Sequence, residues 1–107
     1  MPTILAVDFD GTICNPHDVA EGKRMGNPMP GCKEALDYYR DLNCVIIIHT
    51  TRATPDRDMS YLEDWLNYFE IPFDDIAISK PQADYYIDNK GVHFTSWQEL
   101  RNTLHVI

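Results

Sequence analysis

Asp8 and Asp10 stand two positions apart in Asp8-Phe9-Asp10-Gly11-Thr12, where a short apolar run meets a glycine. Two carboxylates at that spacing can divide nucleophilic and general acid–base work on one substrate. Other polar groups follow later apolar runs: His49-Thr50-Thr51-Arg52, then Lys80, then Asp88-Asn89-Lys90. Taken singly, each has a plainer reading. Asp10-Gly11 and Asp88-Asn89 are ordinary turn signals, Thr50 can cap a turn, and Lys80 can be a solvated charge. Their joint arrival at successive strand ends is what points to a site. Carboxylates, a hydroxyl and an ammonium gathered there could bind Mg²⁺ and phosphate together.

The elements that must position these groups follow from apolar spacing. Thr3–Phe9 and Cys44–Ile48 read as buried strands rich in β-branched residues. The second shows no alternation, as expected of a parallel strand covered on both faces. Residues 13–30 hold Pro16, Gly22, Gly26, Pro28 and Pro30 and read as a loop. A helix from Gly31 to about Asp41 carries Ala35, Leu36, Tyr39 and Leu42 on one side. Thr54-Pro55 is a helix start, and the helix runs to about Glu70, with Pro72 beyond it. Asp75–Ser79, Asp84–Ile87 and Val92–Phe94 are short strands, and Ser96 to Glu99 is a capping box for a last helix to Leu104.

The order β-α-β-α-β-β-β-α predicts one α/β domain over residues 1–107, Rossmann-like, with a mainly parallel sheet. Right-handed crossovers are expected to put helices on both faces. The active crevice of such a sheet lies at the carboxyl ends of its strands.

With these motifs in place the chain resembles the haloacid dehalogenase-like superfamily. Its first motif, DxDGT, matches Asp8 to Thr12. Its second, an apolar strand ending in Thr or Ser, matches Val45 to Thr50. Lys80 matches the third and Asp88-Asn89 the fourth, and Lys80 to Lys90 resembles the ending of small members. The resemblance implies a five-stranded sheet of order 5-4-1-2-3. It also implies an Mg²⁺-dependent phosphomonoester hydrolase, a phosphatase working through an aspartyl-phosphate on Asp8. Asp10 would be the general acid/base, Thr50 would hold a phosphoryl oxygen, and Lys80 would offset negative charge. Phe9, Gly11, Thr51 and Arg52 would contact substrate. Asp8, Asp10 through its carbonyl, and Asp88 would bind the metal, with Asn89 beside them. Asn89 departs from the pattern, since small relatives often carry a second acid there. The short segments between motifs leave no room for a cap domain.

The remaining features bound this reading. Nine basic and seventeen acidic residues give a net charge of −8, which disfavours nonspecific nucleic-acid binding. A phosphorylated small molecule or polymer end is the expected partner, and a homo-oligomer is possible. Cys14, Cys32 and Cys44 have no CxxC spacing, so packing is their expected role. No apolar run approaches membrane-spanning length, and a cytoplasmic location is expected. His17, His49, His93 and His105 lack metal-ligand spacing, and Trp65 and Trp97 fit helix packing faces. Three rivals stand beside the hydrolase: a polynucleotide end phosphatase, a phosphoacceptor signalling domain, and a silent module binding phosphate or Mg²⁺.

Overall fold

The computed structural model describes residues 2–15, 25–51, 60–88, 92–93 and 95–104. In chain order its elements are β1 (Thr3–Asp8), α1 (Cys32–Asp41), β2 (Cys44–His49), α2 (Ser60–Tyr68), β3 (Asp75–Ala77), β4 (Tyr85–Asp88), β5 (Val92–His93) and α3 (Trp97–Thr103). The expected helix start at Thr54-Pro55 lies outside the described residues.

Local chemistry sets the helix ends. Gly31 caps α1 with φ +79°, a left-handed conformation that a side chain would strain. Cys32, Ala35, Leu36 and Tyr39 then recur at helical spacing and are buried. α2 closes on Glu70, whose φ is +56°. The Ile71 and Glu70 amides reach back to the carbonyls of Leu66 and Asn67, the paired bonds of a Schellman ending. Ser96 caps α3 by accepting the Glu99 amide at 3.1 Å.

Along the sheet the neighbours run β3-β2-β1-β4-β5, and every pair is parallel. The pairing is uneven. β1 matches β2 from Thr3 opposite Cys44 to Asp8 opposite His49, whereas β5 touches β4 only at Ile87–Val92 and Asp88–His93. Read from the other edge this is the expected order 5-4-1-2-3, and the expectation of a full five-stranded Rossmann-like sheet with helices on both faces is corrected at its edge strand and in its helix layer. The body of the sheet is the four strands β3-β2-β1-β4, and Val92–His93 adds a two-residue rung to its edge. The described helices lie on one face.

Two observations establish the second point. β1-α1-β2 and β2-α2-β3 step in the same direction across the sheet, so right-handed crossovers put α1 and α2 on one side. α3 packs on α1, where the Tyr39 hydroxyl donates to the Leu104 carbonyl at 3.3 Å, with the Leu100 carbonyl 3.4 Å away. Burial agrees. Leu5, Val7, Ile46, Ile48 and Ile87 share one face and are fully buried with Leu36, Leu62, Leu66 and Leu100. Each such side chain contributes about 1.5–3 kcal/mol. On the opposite face Ala6 is buried, but Ile4, Val45, Ile47 and Tyr86 are only half-buried.

The open face has a physical origin in the link from β3 to β4. Residues 78–84 are too few for a covering helix, which needs a crossover of about a dozen residues or more. The link crosses without regular secondary structure instead. The Tyr86 hydroxyl donates to the Pro81 carbonyl at 2.9 Å and accepts the Ala83 amide at 3.2 Å.

Two aspartates clamp the entrances to the sheet in the same way. Asp84 donates its amide to the Ile4 carbonyl at 2.9 Å and accepts the Ile4 amide on Oδ2 at 2.7 Å. Asp74 does the same with Ile46, at 2.8 Å in both directions, and also pairs with Arg40. Asp74→Ala is expected to cost about 1–2 kcal/mol, because it strips an acceptor from a part-buried amide. Arg40→Ala removes only an exposed ion pair and should cost less than about 1 kcal/mol. Urea denaturation of both variants checks this order, and equal losses would refute the clamp.

Candidate functional site

Because all the strands run parallel, their carboxyl ends lie along one edge of the sheet. Asp8 ends β1 and pairs in register with His49, the last residue of β2. Val7 pairs with Ile87, so Asp88 follows on β4 at the level of Asp8 on the other side. Thr50, only 1% exposed, comes immediately after β2 and donates its amide to the Ala77 carbonyl at 3.3 Å. Thr51 beside it is exposed.

After Asp8 the chain makes a tight turn around one carbonyl. The Phe9 oxygen accepts the amides of Ile13 at 2.9 Å, Cys14 at 3.0 Å and Thr12 at 3.3 Å. Gly11 makes the turn possible with φ +84°, and its amide donates to the Cys14 carbonyl at 2.9 Å. The Phe9 ring is fully buried and meets Trp65 edge-on at 5.2 Å. The turn is backed by residues 25–29, with Asn15 bonded to Asn27 and Met29 bonded to Ile13.

Electrostatics at Asp8 follow from this placement. Half-burial raises its pKa above the ordinary carboxylate value, and the charges of Asp88 and Asp10 add to that rise. A hydrogen bond from the Phe9 amide and the nearby His49 act in the opposite direction. The carboxyl group of Asp8 therefore holds its proton more firmly than a solvated aspartate.

The structure thus brings Asp8, Asp10, Thr50 and Asp88 to one edge. Lys80 is exposed, with its Nζ 4.5 Å from the centre of the Tyr86 ring. Of the expected backbone contacts, the Gly11 amide is bonded to Cys14 and the Phe9 amide to Asp8. Arg52 and Asn89 lie outside the described residues. Two contributors escaped the sequence reading. His49 sits beside Asp8, a position that follows from its place between an apolar strand and Thr50. Trp97 reaches the site turn by donating its indole N–H to the Thr12 carbonyl at 2.8 Å, for which no local sequence signal exists.

The expectation of an Mg²⁺ site is corrected. Asp88 and Asp10 influence Asp8 through their charge. Among the described residues, no group of three or more His, Cys, Asp or Glu is placed to hold a metal ion. The reading as a haloacid dehalogenase-like phosphatase, an Mg²⁺-dependent hydrolase forming an aspartyl-phosphate, is corrected with it. The resemblance implied a full five-stranded sheet and a metal centre. The described residues supply a four-stranded body with helices on one face and no such centre.

Among solved structures the chain is similar to a conserved protein of Bacteroides thetaiotaomicron. The TM-score is 0.70 at 21% identity, over 94% of this chain and 87% of that one. It is also similar to a protein of Vibrio cholerae, with a TM-score of 0.66 at 22% identity, over 97% and 90% of the two chains. No family model and no curated protein matches the chain. The likeness to the two solved structures is one of fold.

A stability test follows from the raised pKa of Asp8. Ionising this group costs the folded protein more than the unfolded chain. That cost is absent well below the ordinary value of 3.8 and grows as pH rises through the folded-state value. Asp8→Asn keeps the shape and removes the cost. The variant should melt at a higher temperature than the parent at pH 7, with the gap closing towards pH 3. A parent that is the more stable protein at pH 7 would contradict the assigned electrostatics.

Proposed function

We propose that the carboxyl edge of the sheet binds the phosphoryl group of a small phosphorylated molecule. The observation that carries this reading is the alignment of Asp8, the buried Thr50 and Asp88 at the ends of neighbouring parallel strands. The Thr50 hydroxyl can donate a hydrogen bond to a phosphoryl oxygen, and the Asp8 carboxyl can do so whenever it holds its proton. Lys80, after β3, supplies a cation for the same ligand.

The surrounding charge selects the form of the ligand. Asp10 and Asp88 repel a dianion, and the overall charge of −8 gives no long-range attraction for a polyanion. A phosphate ester gains a proton near pH 6 and becomes a monoanion, which these carboxylates oppose less. A small phosphate ester therefore fits better than a nucleic-acid chain end. Among the described residues no helix is long and apolar enough to cross a membrane. Cys14, Cys32 and Cys44 are buried thiols, which supports a reducing, cytoplasmic setting. In this reading residues 1–107 act as one domain.

Two consequences test the proposal. Titrating inorganic phosphate or a sugar phosphate into the protein with a chelator present should shift the amide resonances of Asp8, Thr50 and Thr51. Affinity should rise as pH falls from 8 to 5.5. Thr50→Val should weaken binding roughly fivefold to tenfold, matching about 1–1.5 kcal/mol for one lost hydrogen bond. Unmoved strand-end amides, or binding that strengthens with rising pH, would overturn the reading.

A further inference from the structure

We propose that Trp97 is a positioning residue for the strand-end site: its indole N–H fixes the turn that carries Asp10. This inference rests on the phosphoryl-binding reading of that site. Trp97 is the first residue of α3, far along the chain from the turn it holds. Its Nε1 donates to the Thr12 carbonyl at 2.8 Å, and the side chain is 1% exposed. A buried bond of this kind is costly to break, because both polar groups would be left without water. Thr12 also gives its amide to the Phe9 carbonyl, so one residue is held at both of its peptide groups. The bond to Phe9 closes the turn over Asp10 and Gly11, and the bond from Trp97 holds the residue at its end.

The anchor on the other side is independent of the turn. Ser96 caps α3, and Tyr39 of α1 bonds to its C-terminal carbonyls. Gly31, the cap of α1, packs against Trp97, and a Cβ there would lie 3.5 Å from the Trp97 Cβ. α1 and α3 thus form a fixed block, and the indole transmits its position to the turn. The ring fills space, as any large apolar side chain would. The N–H does something a phenyl ring cannot, since indole nitrogen is a donor only and its direction is set by the ring.

Trp97→Phe separates the two roles. In the free protein, the amide resonances of Gly11, Thr12 and Ile13 should shift and their exchange quicken, while those of β2 stay in place. In a phosphate titration the affinity should fall about fivefold or more. Leu100→Ala serves as the control, since it loosens α3 without touching Thr12. It should lower the melting temperature while leaving phosphate affinity within about twofold. In the parent, the Trp97 indole N–H resonance, assigned with the aid of Trp65→Phe, should move on phosphate addition. This measurement stands even if Trp97→Phe fails to fold. Unchanged turn resonances in Trp97→Phe, or an equal loss of affinity in Leu100→Ala, would overturn the inference. If the parent binds no phosphate, the site reading fails, and the free-protein spectra still decide whether Trp97 sets the turn.

Discussion

An aspartate lies between two fully buried apolar residues, and much of the molecule follows from that. Val7 and Phe9 are both withdrawn from water, so the peptide that joins them carries Asp8 part of the way in. A charged carboxylate in that position loses hydration that nearby carboxylates cannot replace. The protein responds with the Phe9 amide and with His49. The tight turn around the Phe9 carbonyl serves the same end, because it returns the chain to the core at Ile13 within a few residues. Packing on the helix side is organised to bury β1, and the polar edge is where that burial stops.

The division between edge and core also explains how a strongly acidic chain folds. Among the described residues most charged side chains are exposed, where solvent screens them. The clamping aspartates have specific tasks as acceptors of strand amides. At the carboxyl edge, burial raises the pKa of Asp8 and the repulsion of Asp88 and Asp10 adds to the rise. A ligand that brings a proton or a positive charge relieves that repulsion.

Much of this was legible in the sequence, for physical reasons that differ between elements. Ile46-Ile47-Ile48 could only be a buried strand, and Cys32 to Tyr39 has helical period. The unequal covering of the sheet was hidden, because Val45 and Ile47 are the same kinds of residue as Ile46 and Ile48. Burial on one face depends on where a seven-residue link crosses, and composition does not record that. At the site, strand ends were readable because acids and hydroxyls interrupt apolar runs. Whether those acids converge on one point depends on side-chain direction, which spacing leaves open. That is why a metal centre looked reasonable in the sequence and is missing among the described residues. The Trp97 bond joins positions 85 residues apart and left no local trace.

The sheet's margins carry a consequence for behaviour at high concentration. An outer strand presents a row of unsatisfied amides and carbonyls on which another chain can build, the usual route to fibrils. Here the margins are β3, of three residues, and β5, of two. So short a ledge gives an incoming chain few backbone partners, while the long strands β1 and β2 are enclosed between neighbours. Strand addition, the seed of amyloid growth, therefore finds few backbone partners on these two margins.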